Sequence, residues 1–151
     1  MGAVSLTGKD VCVLNGRVLH DLANGDVVKI TFDADLASVE AAKDGNVIYG
    51  LNEKGKLASL ELHLLQGSSD DRYLNALLAS QTSDFSGFIL ITGSFVKRVG
   101  DGNGKIKNVI YNLLGGMIMR FPDASTSTGG DAQQSVAVWK LTFGRNTRAI
   151  M

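Results

Sequence analysis

The sequence predicts a mainly β, antiparallel domain with one flanking α-helix, and three observations carry that reading. Short apolar segments recur with Gly, Asn and Asp between them, the punctuation of strands joined by tight turns. Only the segment after Gly67-Ser68-Ser69-Asp70-Asp71 has the caps and apolar spacing of a helix. With 151 residues, 44% of them hydrophobic and 20% charged, the chain has the make-up of one folded domain, residues 1 to 151.

Taken in order, Val11-Cys12-Val13-Leu14 meets Asn15-Gly16 before Arg17-Val18-Leu19. That dipeptide accepts positive φ and predicts a tight hairpin. A second turn at Asn24-Gly25 leads into Val27 to Phe32, where β-branched and aromatic residues predict a strand. Residues 33 to 46, DADLASVEAAKDGN, are acidic and small with no sustained apolar period. They predict a long exposed loop or arm, a kind of connection that is usually functional.

Val47 to Leu51 and Leu57 to Leu65 predict two strands around Asn52 to Lys56. In the second, Leu60, Leu62 and Leu64 alternate with Glu61 and His63, so one face packs and the other is wet. In the helix, Ser68 or Ser69 caps the first turn and Asp70 and Asp71 suit its positive end. Leu74, Leu77 and Leu78 form its packing face, so Leu77→Asp is expected to damage folding. Further strands are predicted at Phe88 to Val99, at Ile106 to Phe121 with a break at Gly115-Gly116, and at Val136 to Phe143. Asp101 to Gly104 is a hairpin tip, Pro122 stands at a strand end, and Ser125 to Ser135 is a flexible loop by composition.

Charge and motifs exclude more than they assign. Fifteen Lys and Arg balance fifteen Asp and Glu, which argues against a dedicated nucleic-acid binder. Lys97-Arg98 and Lys105-Ile106-Lys107 read as solvated charges at a strand edge. The lone Cys12 forms no internal disulfide and reads as a small buried hydrophobe. The N-terminus lacks the pattern of a secretory signal and no apolar run is long enough to span a membrane, so folding in a cytoplasm is expected.

Gly50 to Lys56 has Walker-type spacing, but Leu57 and a strand follow where a hydroxyl residue and a helix are required. Gly100 to Gly104 lacks the helix and distal Glu of a nucleotide or calcium loop. His20 and His63 are far apart, no Cys/His pair has zinc spacing, and no nucleophile elbow accompanies them. The sequence therefore predicts no catalytic residue, cofactor or metal.

Two stretches carry a resemblance. These are Gly16-Arg17-Val18-Leu19-His20-Asp21-Leu22-Ala23-Asn24-Gly25-Asp26-Val27-Val28, and Asn46-Val47-Ile48-Tyr49-Gly50-Leu51-Asn52 through Gly55-Lys56 to Gln66-Gly67-Ser68-Ser69-Asp70-Asp71. In order and spacing they resemble the short tail tube proteins of contractile-tailed bacteriophages, and the likeness ends near Ser80. It implies an antiparallel β-sandwich or open barrel with one flanking helix. It further implies a non-enzymatic virion protein whose homohexameric rings stack into the inner tail tube, the channel for genome delivery. Head-to-tail contacts that never close propagate such a filament.

The resemblance also implies partners: the chain itself, the tail sheath, tape measure, baseplate and tail terminator proteins. Double-stranded DNA would pass through the lumen without specific binding, with no membrane insertion. Assembly would occur in the host cytoplasm and the product would reside in the virion tail. The arm would reach the adjacent ring, making Asp35, Glu40, Lys43, Asp44 and Asn46 inter-ring contacts. Deleting 36 to 44 is then expected to abolish tubes and spare the fold. The strands from Val47 to Leu65 would line the channel with Glu61, Lys54 and Lys56, and acidic residues on their polar faces would keep the lumen from being positive. The alternatives are the inner tube of a tail-like bacteriocin or secretion machine, a monomeric ligand-binding β-barrel, and a hydrolase using His20 or His63.

Overall fold

The computed structural model describes residues 5–6, 10–20, 28–123 and 136–151. Its elements in chain order are β1 (Ser5–Leu6), β2 (Val11–Leu14), β3 (Arg17–Val18), β4 (Val28–Phe32), β5 (Ala37–Ala41), β6 (Val47–Leu51) and a 3-10 turn (Glu53–Lys56). There follow β7 (Ala58–Leu65), α1 (Ser69–Ser83), β8 (Ile91–Gly100), β9 (Ile106–Asp123) and β10 (Val136–Ile150). The mainly β class with antiparallel pairing and one flanking helix is as expected. The turn at Asn24-Gly25 and the loop Ser125 to Ser135 lie outside the described residues.

The main sheet has the order β3-β2-β8-β9-β10-β7-β4, with β1 also on β8. Its first hairpin turns where the sequence places it. Asn15 and Gly16 adopt φ of 50° and 79°, the pair of left-handed residues whose twist suits two antiparallel strands. β7 alternates as read: Ala58, Leu60, Leu62 and Leu64 are buried while Ser59, Glu61 and His63 are half-exposed. Across the pair, Ala137, Trp139, Leu141 and Phe143 of β10 meet Leu64, Leu62, Leu60 and Ala58. All of these but Ala58 join Cys12, Leu14, Ile91, Leu113, Leu74 and Leu78 in one core cluster.

The helix begins at Ser68, whose hydroxyl accepts the Asp71 N–H, and continues to Ser83, longer than its apolar period alone. Leu74 and Leu78 are buried, whereas Leu77 is only partly so; Leu74 and Leu78, rather than all three Leu equally, carry the packing. The N-terminal acids act structurally. Asp70, fully buried, accepts hydrogen bonds from Arg17 Nε at 3.1 Å and the His20 N–H at 2.6 Å. Asp71 accepts from Trp139 Nε1 at 2.8 Å and from the Gly67 N–H at 2.9 Å. Consecutive carboxylates thus tie the first hairpin and the central strand to one helix end.

Two readings are corrected. First, β9 does not break at Gly115-Gly116. It runs through, with a register shift opposite Ile91 to Gly93 and Gly115 at φ 69°. Gly116 is needed because a Cβ there would overlap the Phe143 ring. Second, β10 extends seven residues beyond Phe143, paired with β9 alone. A further shift between Lys140 and Leu141 leaves Ile118 beside the helix, where the buried Gln81 amide takes both its backbone groups: Nε2 donates to Ile118 O at 2.8 Å and Oε1 accepts its N–H at 3.0 Å. A lone polar residue late in a helix does not announce that role.

Candidate assembly interface

Residues 33 to 46 are exposed, as predicted, but they are not an unstructured loop, and Val47 to Leu51, predicted as a strand, is exposed with them apart from the half-buried Gly50. β5 and β6 pair with each other in a separate two-stranded sheet. Val47 to Leu51 therefore belongs to the arm and does not join β7 in a main-sheet hairpin. The cross-strand pairs explain why. Ala37–Leu51, Val39–Tyr49 and Ala41–Val47 put six apolar residues on one face, and Ser38–Gly50 and Glu40–Ile48 occupy the other. Read singly, residues 33 to 46 show no apolar period because half of the face comes from 47 to 51.

That face has no partner within the described chain. Val39 is 60% exposed, Tyr49 75% and Leu51 65%. A two-stranded ribbon is at best marginal alone in water, so the root is pinned. Asn52 N–H donates to Leu36 O at 2.7 Å, its Nδ2 donates to Asp35 O at 2.9 Å, and its Oδ1 accepts from Lys54 N. Gly55 is buried against Asp35 and Leu36, with no space for a Cβ. The Walker-like run Gly50 to Lys56 is thus the arm's root.

The residues expected at ring contacts are spread along the arm. Asp35 stands at the root, Glu40 on the polar face of β5, and Lys43, Asp44 and Asn46 in the tip turn, where Asp44 accepts from Asn46 N–H and Nδ2. The three residues expected at the lumen are not brought together on one strand face. Lys54 and Lys56 lie on the 3-10 turn, Lys56 paired with Glu53 at 3.0 Å. Glu61 lies on the open face of the main sheet. There its register row reads Lys29, Glu61, Lys140, Arg120 across β4, β7, β10 and β9. This row is mixed in sign, one acid among three cations. The Glu61 carboxyl is held below its ordinary range by the hydrogen bond to His63 Nε2 at 2.8 Å, with His63, Lys140 and Lys29 adding charge attraction against the opposing effect of desolvation.

The strand ends of β8, β9 and β10 form a second prong, which carries the edge charges Lys97, Arg98, Lys105 and Lys107 of one hairpin. Register sets Lys97 beside Val109, Val99 beside Lys107, and Arg148 beside Tyr111, whose hydroxyl accepts from Arg148 Nε at 3.0 Å. With Arg145 and Arg148 of β10 there are six cations, against Asp101 at the tip. Only the pairing of β10 with β9 adds these last two to the hairpin's four. Asn146 joins the prongs: its Nδ2 donates to Lys56 O beside the arm root and to Phe143 O at 2.8 Å.

His63 is engaged with Glu61, and burial, with a smaller contribution from Asp70, pushes the Cys12 thiol up to about 12. Among the described residues, no three His, Cys, Asp or Glu side chains stand together as metal ligands, and no helix is long and apolar enough to cross a membrane.

No family model matches the chain, and no curated protein matches it. A solved structure does. The chain is similar in fold to one in the cryo-EM structure of the sheath/tube terminator, in the extended state, of an extracellular contractile injection system, PVC. The TM-score is 0.55 at 10% identity, over 95% of this chain and 94% of that one. At that identity the likeness is one of fold.

Proposed function

We propose that this chain is a structural subunit of a contractile tail, not an enzyme, whose copies form hexameric rings stacked into the inner tube through the arm. The observation that carries the reading is the arm itself, a pinned ribbon whose apolar face is open along its length. Contiguous exposed apolar surface of this kind marks an interaction site. The fold likeness over nearly the whole of both chains supports the tail assignment. On this reading the sheath, tape measure, baseplate and terminator proteins are the remaining partners, and DNA passes the lumen without a dedicated site. A particle that injects without carrying a genome is the second reading, favoured by the extracellular injection system among the structural matches. Heads filled with DNA on purified particles would exclude it.

The test follows the observed arm boundaries. Deleting 36 to 44 would remove β5 and strand β6, so 37 to 51 should be replaced whole by a short Gly-Ser turn. The expected outcome is a folded chain with a cooperative melt, strand signal reduced only by the loss of β5 and β6, and no tubes in negative-stain micrographs of the protein mixed with its tail partners. Normal tubes from the replacement would overturn the proposal.

A further inference from the structure

The arm and the basic prong leave the main sheet at the same end. β7 and β4 both reach the level of Ala58, whose partners are Phe143 and Phe32; β10 runs on past Phe143 and the arm leaves after Phe32. Between them lies an open groove of roughly 450 Å³ lined by Glu53, Lys56, Leu114, Arg145, Asn146 and Thr147, with Gly144 at its base. Among the described residues, no strand pairs with β10 beyond Phe143 on its β7 side. Apart from the contact of Asn146 with the Lys56 carbonyl, residues 144 to 150 therefore present a strand-free edge of about 23 Å at 3.3 Å per residue. Natural proteins do not leave a long edge uncovered without a reason.

We infer that this edge receives the arm of a second copy, whose outer strand extends the main sheet along residues 144 to 150 and whose acids meet the cations of the prong. The inference rests on the proposed self-assembly and names its acceptor. The edge is long enough, since an arm strand of five residues spans about 17 Å. Charge is complementary. The arm segment 33 to 46 carries Asp33, Asp35, Glu40 and Asp44 against Lys43, and the prong carries its six cations against Asp101. Apolar surface is available on both sides: Val39, Tyr49 and Leu51 on the arm, and Ile106, Leu114 and Ile150 around the prong, are all exposed. Backbone pairing gives affinity while the charges fix the partner. Within one chain β5 and β6 pair with each other and, among the described residues, with no strand of the main sheet, so the edge is left to the arm of a second copy.

A charge-swap experiment decides the matter. One variant carries Asp35→Lys and Glu40→Lys; the other carries Lys107→Glu and Arg145→Glu. All four positions are exposed, and melting curves matching the parent verify folding of each. Each variant alone should lose assembly, measured by sedimentation and negative stain. Their equimolar mixture should regain it, because every arm again meets a prong of opposite sign. Parent assemblies should also weaken between about 0.1 and 1 M salt as screening shortens from about 10 to 3 Å. If the Lys107/Arg145 variant assembles like the parent while arm replacement abolishes assembly, this acceptor is wrong and the proposed function stands. Normal assembly of that variant together with lost binding to a short duplex DNA would assign the prong to a polyanion instead. A parent chain that stays monomeric with its tail partners overturns both.

Discussion

Replacing Asp70 with Asn tests whether the acidic pair at the helix start is a structural clamp. The carboxylate is fully buried and takes the His20 N–H at 2.6 Å and Arg17 Nε at 3.1 Å. Hydrogen bonds to a charged group contribute about 1.5–3 kcal/mol each. Arg17 is 37% exposed, so its share is discounted for solvent screening. Asn keeps the volume and one acceptor oxygen but turns an N–H toward one of the two donors. The expected loss is about 2–3 kcal/mol, seen as a lower urea midpoint at unchanged slope. For a chain of this size it corresponds to a melting temperature roughly 5–10 °C lower. Arg17→Met, which leaves the shorter bond in place, should lose less than half as much. An Asp70→Asn protein within about 0.5 kcal/mol of the parent would refute the clamp.

Two further outcomes follow from the same geometry. Gly116→Ala should destabilise by about 1–3 kcal/mol, since its methyl would overlap the Phe143 ring and stand 2.9 Å from Ile91 O; combined with Phe143→Leu the loss should be less than additive in denaturant titrations. The lowered Glu61 carboxyl contributes stability that is complete above the ordinary value of 4.5 and fades as the pH falls through its folded value below that; in acid titrations followed by circular dichroism, Glu61→Gln should flatten the curve in that region, and an unchanged slope would sink the His63 pairing.

Local chemistry made the core elements readable. Alternation in β7 marked its buried face, and the Asn15-Gly16 and Asp101 to Gly104 turns needed only their own residues. Ser68 announced the helix start because a cap acts within three residues. Readability failed where the deciding partner is distant in sequence. The arm looked shapeless because its apolar face is assembled from two strands, each with only alternate apolar positions. The basic prong read only as the edge charge of one hairpin, because Arg145 and Arg148 join it through their register with β9. Glu61 read as an acid on a wet strand, while its neighbours Lys29, Lys140 and Arg120 come from three other strands.

The place of β10 in the sheet order bears on how the chain folds. It sits between β9 and β7 and supplies Trp139, Leu141 and Phe143 to the core, yet it follows every other described strand in chain order. β4 and β7 can pair without it, as Val28 does with Leu62, whereas Leu62 and Trp139 join distant stretches of the chain. Closure of the sheet is consequently slow for the size, as long-range pairing dictates. Until it closes, the facing edges of β7 and β9 stay open to other copies.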